Sequence, residues 1–125
     1  MGDAMILALS FLFAASAADS AGWIKLFEEA DETTLVEQSA GGSVGSDGMV
    51  WIRHDYGHPR EGGVHSLRDQ WHVSCDRRSF TMYALVSYDS KGRIIRAQAI
   101  PPEDRQAAPV VPGSRMDRVY KAVCG

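Results

Sequence analysis

The chain closes on SRMDRVYKAVCG (Ser114–Gly125), and this stretch decides between an all-β and an α+β reading. Pro112-Gly113 interrupts whatever precedes it. Ser114 is a helix-capping residue, and Asp117, three positions on, supplies the acidic partner of a capping box. Met116, Val119, Tyr120 and Val123 recur at i, i+3, i+4 and i+7, which is one apolar helical face. Arg115, Asp117, Arg118 and Lys121 fall away from that face, with Asp117 and Lys121 spaced as an i,i+4 ion pair. A helix of about ten residues is marginal alone in water. Cys124 therefore reads as a rivet that fastens a short terminal helix to the element carrying Cys75.

Upstream, the pattern is that of strands. Trp23–Phe27, Thr33–Gln38, Met49–Tyr56, Leu67–Cys75, Phe80–Tyr88 and Arg93–Ile100 are β-prone runs. Glu28 to Glu32 reads as an acidic turn, Gly41 to Gly48 as a Gly/Ser loop, Gly57 to Gly63 as a break, and Ser90-Lys91-Gly92 as a tight turn. In Leu67–Cys75, Leu67, Asp69, Trp71, Val73 and Cys75 share one face. Pro101 to Gly113 holds four of the five prolines and reads as a linker returning the chain to the sheet. The expected fold class is α+β: a single antiparallel sheet of about six strands with a C-terminal helix packed on it and tethered by a disulfide.

With 125 residues, 45% of them hydrophobic and 23% charged, the chain has the composition of one soluble globular domain. A net charge of −3 gives no global pull toward nucleic acid or an anionic membrane. The apolar run Met5–Ala14, followed by Ala15-Ser16-Ala17, reads as a secretory signal with cleavage near Ala17, although Met1-Gly2-Asp3 lacks the usual basic residue. The expected division is a signal peptide over 1–17 and a single domain over 18–125. The run is too short to span a bilayer, which takes about 20 apolar residues, and no transmembrane segment follows. In an oxidising compartment the only two cysteines, Cys75 and Cys124, are expected to form a disulfide; no zinc pattern fits them.

Candidate chemistry is sparse. Gly41-Gly42-Ser43-Val44-Gly45 matches G-x-S-x-G, but a nucleophile elbow needs a strand-to-helix turn, and a strand follows here. The four histidines, His54, His58, His65 and His72, flank one strand connection and form the candidate ligand set for a metal or haem iron. Their spacing fits no metal-site pattern, and His54 and His72 are set to point to opposite faces. Asp55, Glu61 and Asp69 are the carboxylates available for an acid–base scheme with them. Trp23, Trp51, Trp71, Tyr83 and Tyr88 read as core residues of the sheet. Arg77, Arg78, Arg93 and Arg96 fit an anionic partner or a solvated face equally well.

Several features resemble the surface-adhesin protein E-like domain of Gram-negative bacteria. They are Trp23 soon after the signal, Val50-Trp51 in a mid-chain strand, Ser66 before the strand to Cys75, Gly92 in a late turn, Pro112-Gly113-Ser114 at the helix start, and Cys124. The resemblance runs from Trp23 to Cys124. It implies an antiparallel sheet with a helix tethered by Cys75–Cys124, and an exported protein of the periplasm, cell surface or outer membrane. Its named member is an adhesin for host extracellular proteins. The expectation is a non-enzymatic cell-envelope protein without a cofactor, binding a host or envelope protein through a sheet face or edge. The alternative is a periplasmic metal or haem binder using the histidines.

Overall fold

The computed structural model describes residues 22–37 and 48–125. The signal-peptide reading of 1–17 and the G-x-S-x-G stretch lie outside them. The described chain forms β1 (Trp23–Glu29), β2 (Glu32–Glu37), β3 (Gly48–Arg60), β4 (Val64–Ser74), β5 (Ser79–Tyr88), β6 (Ile94–Ala99), β7 (Ala108–Pro109) and helix α1 (Arg115–Cys124). The sheet runs β1-β2-β3-β4-β5-β6 in chain order, every described pairing is antiparallel, and β7 pairs with β5. This is the meander expected from the alternation of β-prone runs and turns.

Several boundaries differ from the sequence reading, and β4 begins at Val64 rather than Leu67. β1 continues through Glu29, so the acidic turn shrinks to Ala30-Asp31. β3 does not stop at Tyr56. It carries Gly57 to Arg60 as well, because the Gly57 N–H donates to the Asp31 carbonyl at 3.1 Å across the sheet. Pro59 is accommodated where the β3–β4 register slips between Asp55 and Arg60, a position with no ladder donor to lose. The proline-rich segment is partly ordered by pairing: Ala108 and Pro109 oppose Phe80 and Ser79, giving a seventh short strand.

One face of the sheet packs on α1. Alternate residues Val36, Val50, Ile52 and Val73 meet Val119 and Val123 of the helix, none more than 3% exposed. Met116 and Tyr120 complete the helical stripe, half-buried against this core. β-branched side chains suit such a pleated surface, which accounts for the Val/Ile composition of the cluster. The Ser114 hydroxyl accepts the Asp117 N–H at 3.2 Å, so the cap is as expected. Asp117 is not on an exposed face, however; it is 3% exposed. Its Oδ2 turns back to accept the Gly113 N–H at 2.8 Å and the Lys121 ammonium at 3.2 Å, and these bonds hold the carboxyl below its ordinary pKa. Gly113 makes this possible with φ 81°, a conformation that glycine adopts readily. Cys75 and Cys124 are joined by a disulfide, and the Tyr120 hydroxyl donates to the Cys75 carbonyl at 2.6 Å beside it. The helix is thus capped at one end and stapled at the other.

Candidate functional site

Strand register sorts the candidate residues onto two faces. Thr34 pairs with His54 and Ile52 with Asp69, so Glu32, His54 and Asp69 all project toward the helix side. There His54 Nε2 lies 2.9 Å from Asp69 Oδ2, and Nδ1 lies 3.1 Å from Glu32 Oε2. With a carboxylate oxygen on each nitrogen, only the doubly protonated ring donates to both. Burial opposes the charge, but Asp69 and Glu32 outweigh it and hold the His54 pKa above its ordinary value. Arg115 of α1 pairs with Glu32 at 3.2 Å and also with Glu29, while Arg60 approaches Glu32 at 3.8 Å. Burial and the Glu32 charge push Tyr56 upward as well. The arrangement is an ion cluster clasping the start of α1 to the sheet. A histidine with both nitrogens committed is not a general base, so the Asp69–His54 contact does the work of a clasp.

The other histidines go elsewhere. His58 is 87% exposed and bonds Asp31 at 2.8 Å, which holds the Asp31 carboxyl below its usual range. His65 has a buried Nδ1 that meets no hydrogen-bond partner among the described residues. His72 occupies the opposite face of β4 from Asp69, with its ring 6.3 Å from that of Tyr83. Among the described residues no group of three His, Cys, Asp or Glu side chains is placed to hold a metal ion. Asp55 accepts from Arg53 at 2.9 Å on the face away from the helix, and Glu61 sits in the turn Glu61–Gly63. Nor do the four candidate arginines gather: Arg78 lies over Tyr120, Arg93 bonds Asp89 at 3.0 Å, Arg96 is on β6, and Arg77 lines a separate cavity with His72.

Two features escaped the sequence reading. The aromatic residues divide: Trp71 packs against the core, whereas Trp23, Trp51 and Tyr88 line a cavity on the opposite face. That face is set by alternation along three strands, and its composition became visible only once the register was known. The second feature is β6. All six of its residues are exposed, with Ile94 63% and Ile95 43% accessible. The Ile100 N–H donates to the Tyr83 carbonyl at 2.8 Å across the Ala84–Ala99 pair. Antiparallel alternation then turns the N–H groups of Ala97 and Ala99 away from β5, toward solvent. Arg93–Ile100 was legible as a β-prone run, but not that its strand would be left uncovered at the sheet's edge.

No helix among the described residues is long and apolar enough to cross a membrane. A family profile described as surface-adhesin protein E matches residues 23–125. No curated protein matches the chain.

Proposed function

Because the chain belongs to the surface-adhesin protein E family, we propose that it is a non-enzymatic, exported cell-envelope protein that binds a host or envelope protein along the free edge of β6. The observation that carries this reading is the edge itself. It is a six-residue strand bonded on one side, exposed throughout, with Ile94 and Ile95 uncovered. Unpaired edges invite another strand, and proteins that do not use them shield them with charge, proline or a covering element. Of the six residues here only Arg96 is charged, and none is proline. The family and the apolar leader Met5–Ala14 support export, and the disulfide is the covalent bond an oxidising compartment sustains.

The test uses Ala97→Pro. The substitution removes an outward N–H and leaves the β5–β6 bonds intact, so the fold persists while an added strand is blocked. On immobilised extracellular-matrix extract, wild type is retained and Ala97→Pro binds about tenfold more weakly, the scale of one or two lost hydrogen bonds. Equal binding by both proteins refutes the edge mode. Protease shaving of intact cells decides the location: loss of a C-terminal tag, with a periplasmic control intact, places the protein at the surface.

A further inference from the structure

On the sheet face away from α1, Arg53 and Arg68 are directly opposed across the β3–β4 ladder. Like charges at such a pair are destabilising. Arg53 has Asp55 to pair with, but among the described residues no carboxylate pairs with Arg68, and its buried Nε meets no hydrogen-bond acceptor. Rings surround it instead. The Arg68 guanidinium lies 5.4 Å from the Trp23 ring centroid and 5.0 Å from that of Tyr88, and Arg53 lies 5.7 Å from Trp23. Stacking holds the guanidinium rigid without satisfying its donors.

Two adjoining cavities share Arg68 and Tyr88 as a common wall. One, of about 170 Å³, is walled by Trp23, Trp51 and Glu37, whose Oε1 accepts the Trp51 N–H at 2.9 Å; the other, of about 460 Å³, opens toward Ser66, Ser90 and Lys91. The second falls within the range of small-molecule sites, about 300–1,000 Å³. The acidic residues along it are already engaged. Asp55 accepts from Arg53, and Asp89 accepts the N–H groups of Lys91 and Arg93 and the Arg93 guanidinium, which holds its carboxyl below the ordinary range. Of the arginines and lysines lining this cavity, Arg68 and Lys91 are therefore the ones whose side chains meet no carboxylate among the described residues.

We propose that this double cavity binds a carboxylated pyranose, the acidic sugar of a glycan. Its carboxylate takes the guanidinium donors of Arg68, the apolar C–H face of the ring lies against Trp23 and Trp51, and its hydroxyls reach Ser66 and Ser90. An acidic peptide fits less well. Arg68 is on β4, hydrogen-bonded to β3 and β5 on both sides, so a peptide finds no free backbone there to pair with. The site uses no residue of β6, so it stands or falls separately from the strand-edge contact.

The experiment titrates the mature protein with methyl glucuronide, methyl glucoside and a glutamate-rich peptide, followed by the indole resonances of Trp23 and Trp51. Methyl glucuronide shifts both saturably, methyl glucoside binds at least about tenfold more weakly, and added salt weakens the acidic sugar. Arg68→Gln abolishes the response, and Arg68→Lys, which cannot bond a carboxylate in bidentate fashion, weakens it about tenfold. Arg68→Gln keeps a Tm no lower than wild type, because it relieves the opposed charges. No saturable response, equal binding of glucoside and glucuronide, or tighter binding by the acidic peptide each overturns the proposal. So does a fall in Tm of Arg68→Gln with glucuronide binding retained, which makes Arg68 a packing residue only.

Discussion

Breaking the Cys75–Cys124 disulfide tests the stapled-helix design most directly. The bond closes a sequence separation of 49 residues. In the chain-entropy treatment, opening a loop of that length returns entropy to the unfolded ensemble and so lowers the net stability by about 4 kcal/mol. The loss is tempered by what still holds α1. Val119 and Val123 stay buried in the core, Tyr120 keeps its bond to the Cys75 carbonyl, and Arg115 keeps its carboxylate partners. A ten-residue helix with these contacts undocks more often but does not leave for good. The expected net cost of Cys124→Ser is therefore about 2–4 kcal/mol, or roughly 8–20 °C in Tm for a domain of this size. Thermal unfolding by circular dichroism reads the global term, and amide exchange over 115–124 reads the local one. Reduction of the wild type should reproduce both effects. A Tm shift within about 2 °C, with the helix amides equally protected, would refute the rivet role, since the entropy term would then be absent or cancelled.

Two further outcomes follow from the cluster and the cap. His54 has its pKa raised in the folded protein, so its contribution is fully present below the unfolded value of about 6.5 and is lost as pH rises through the folded value. The Tm of wild type should fall relative to His54→Gln as pH rises above about 6.5, as measured by parallel thermal scans; parallel curves would contradict the charged clasp. Ser114→Ala removes the acceptor for the Asp117 N–H and the donor to the Val111 carbonyl, and should cost about 1 kcal/mol in denaturant unfolding.

How much of this was legible in the sequence depends on range. Periods of two and 3.6 residues are local, and they located the strands, the helix and its cap; oxidation state and an even cysteine count supplied the staple. What depends on register was hidden. Glu32 meets His54 from 22 residues away, and no local pattern gives that pairing. A partial signal did exist: Leu67–Cys75 placed Asp69 among apolar neighbours, and a buried carboxylate requires a partner. The direct opposition of Arg53 and Arg68 likewise needs the β3–β4 alignment. The capping role of Asp117 and its pairing with Lys121 were legible from local spacing, whereas the choice of the Gly113 N–H as its backbone partner, and the burial that goes with it, was not.

The two faces of the sheet are built on opposite terms, and the difference locates the proposed binding chemistry. Toward α1, the buried charges of His54 and Glu32 have partners and the apolar residues interdigitate, as folding alone requires. On the other face the same central strands set arginine against arginine, with half-buried aromatic rings walling two cavities. Stability alone would select an opposite charge or a β-branched residue at one of these paired positions. Asp55 and the rings offset part of that cost, and the proposed anion would offset more of it at Arg68. A sheet that needed only to fold would carry such a pair on neither face; this one carries it where the helix leaves the surface open.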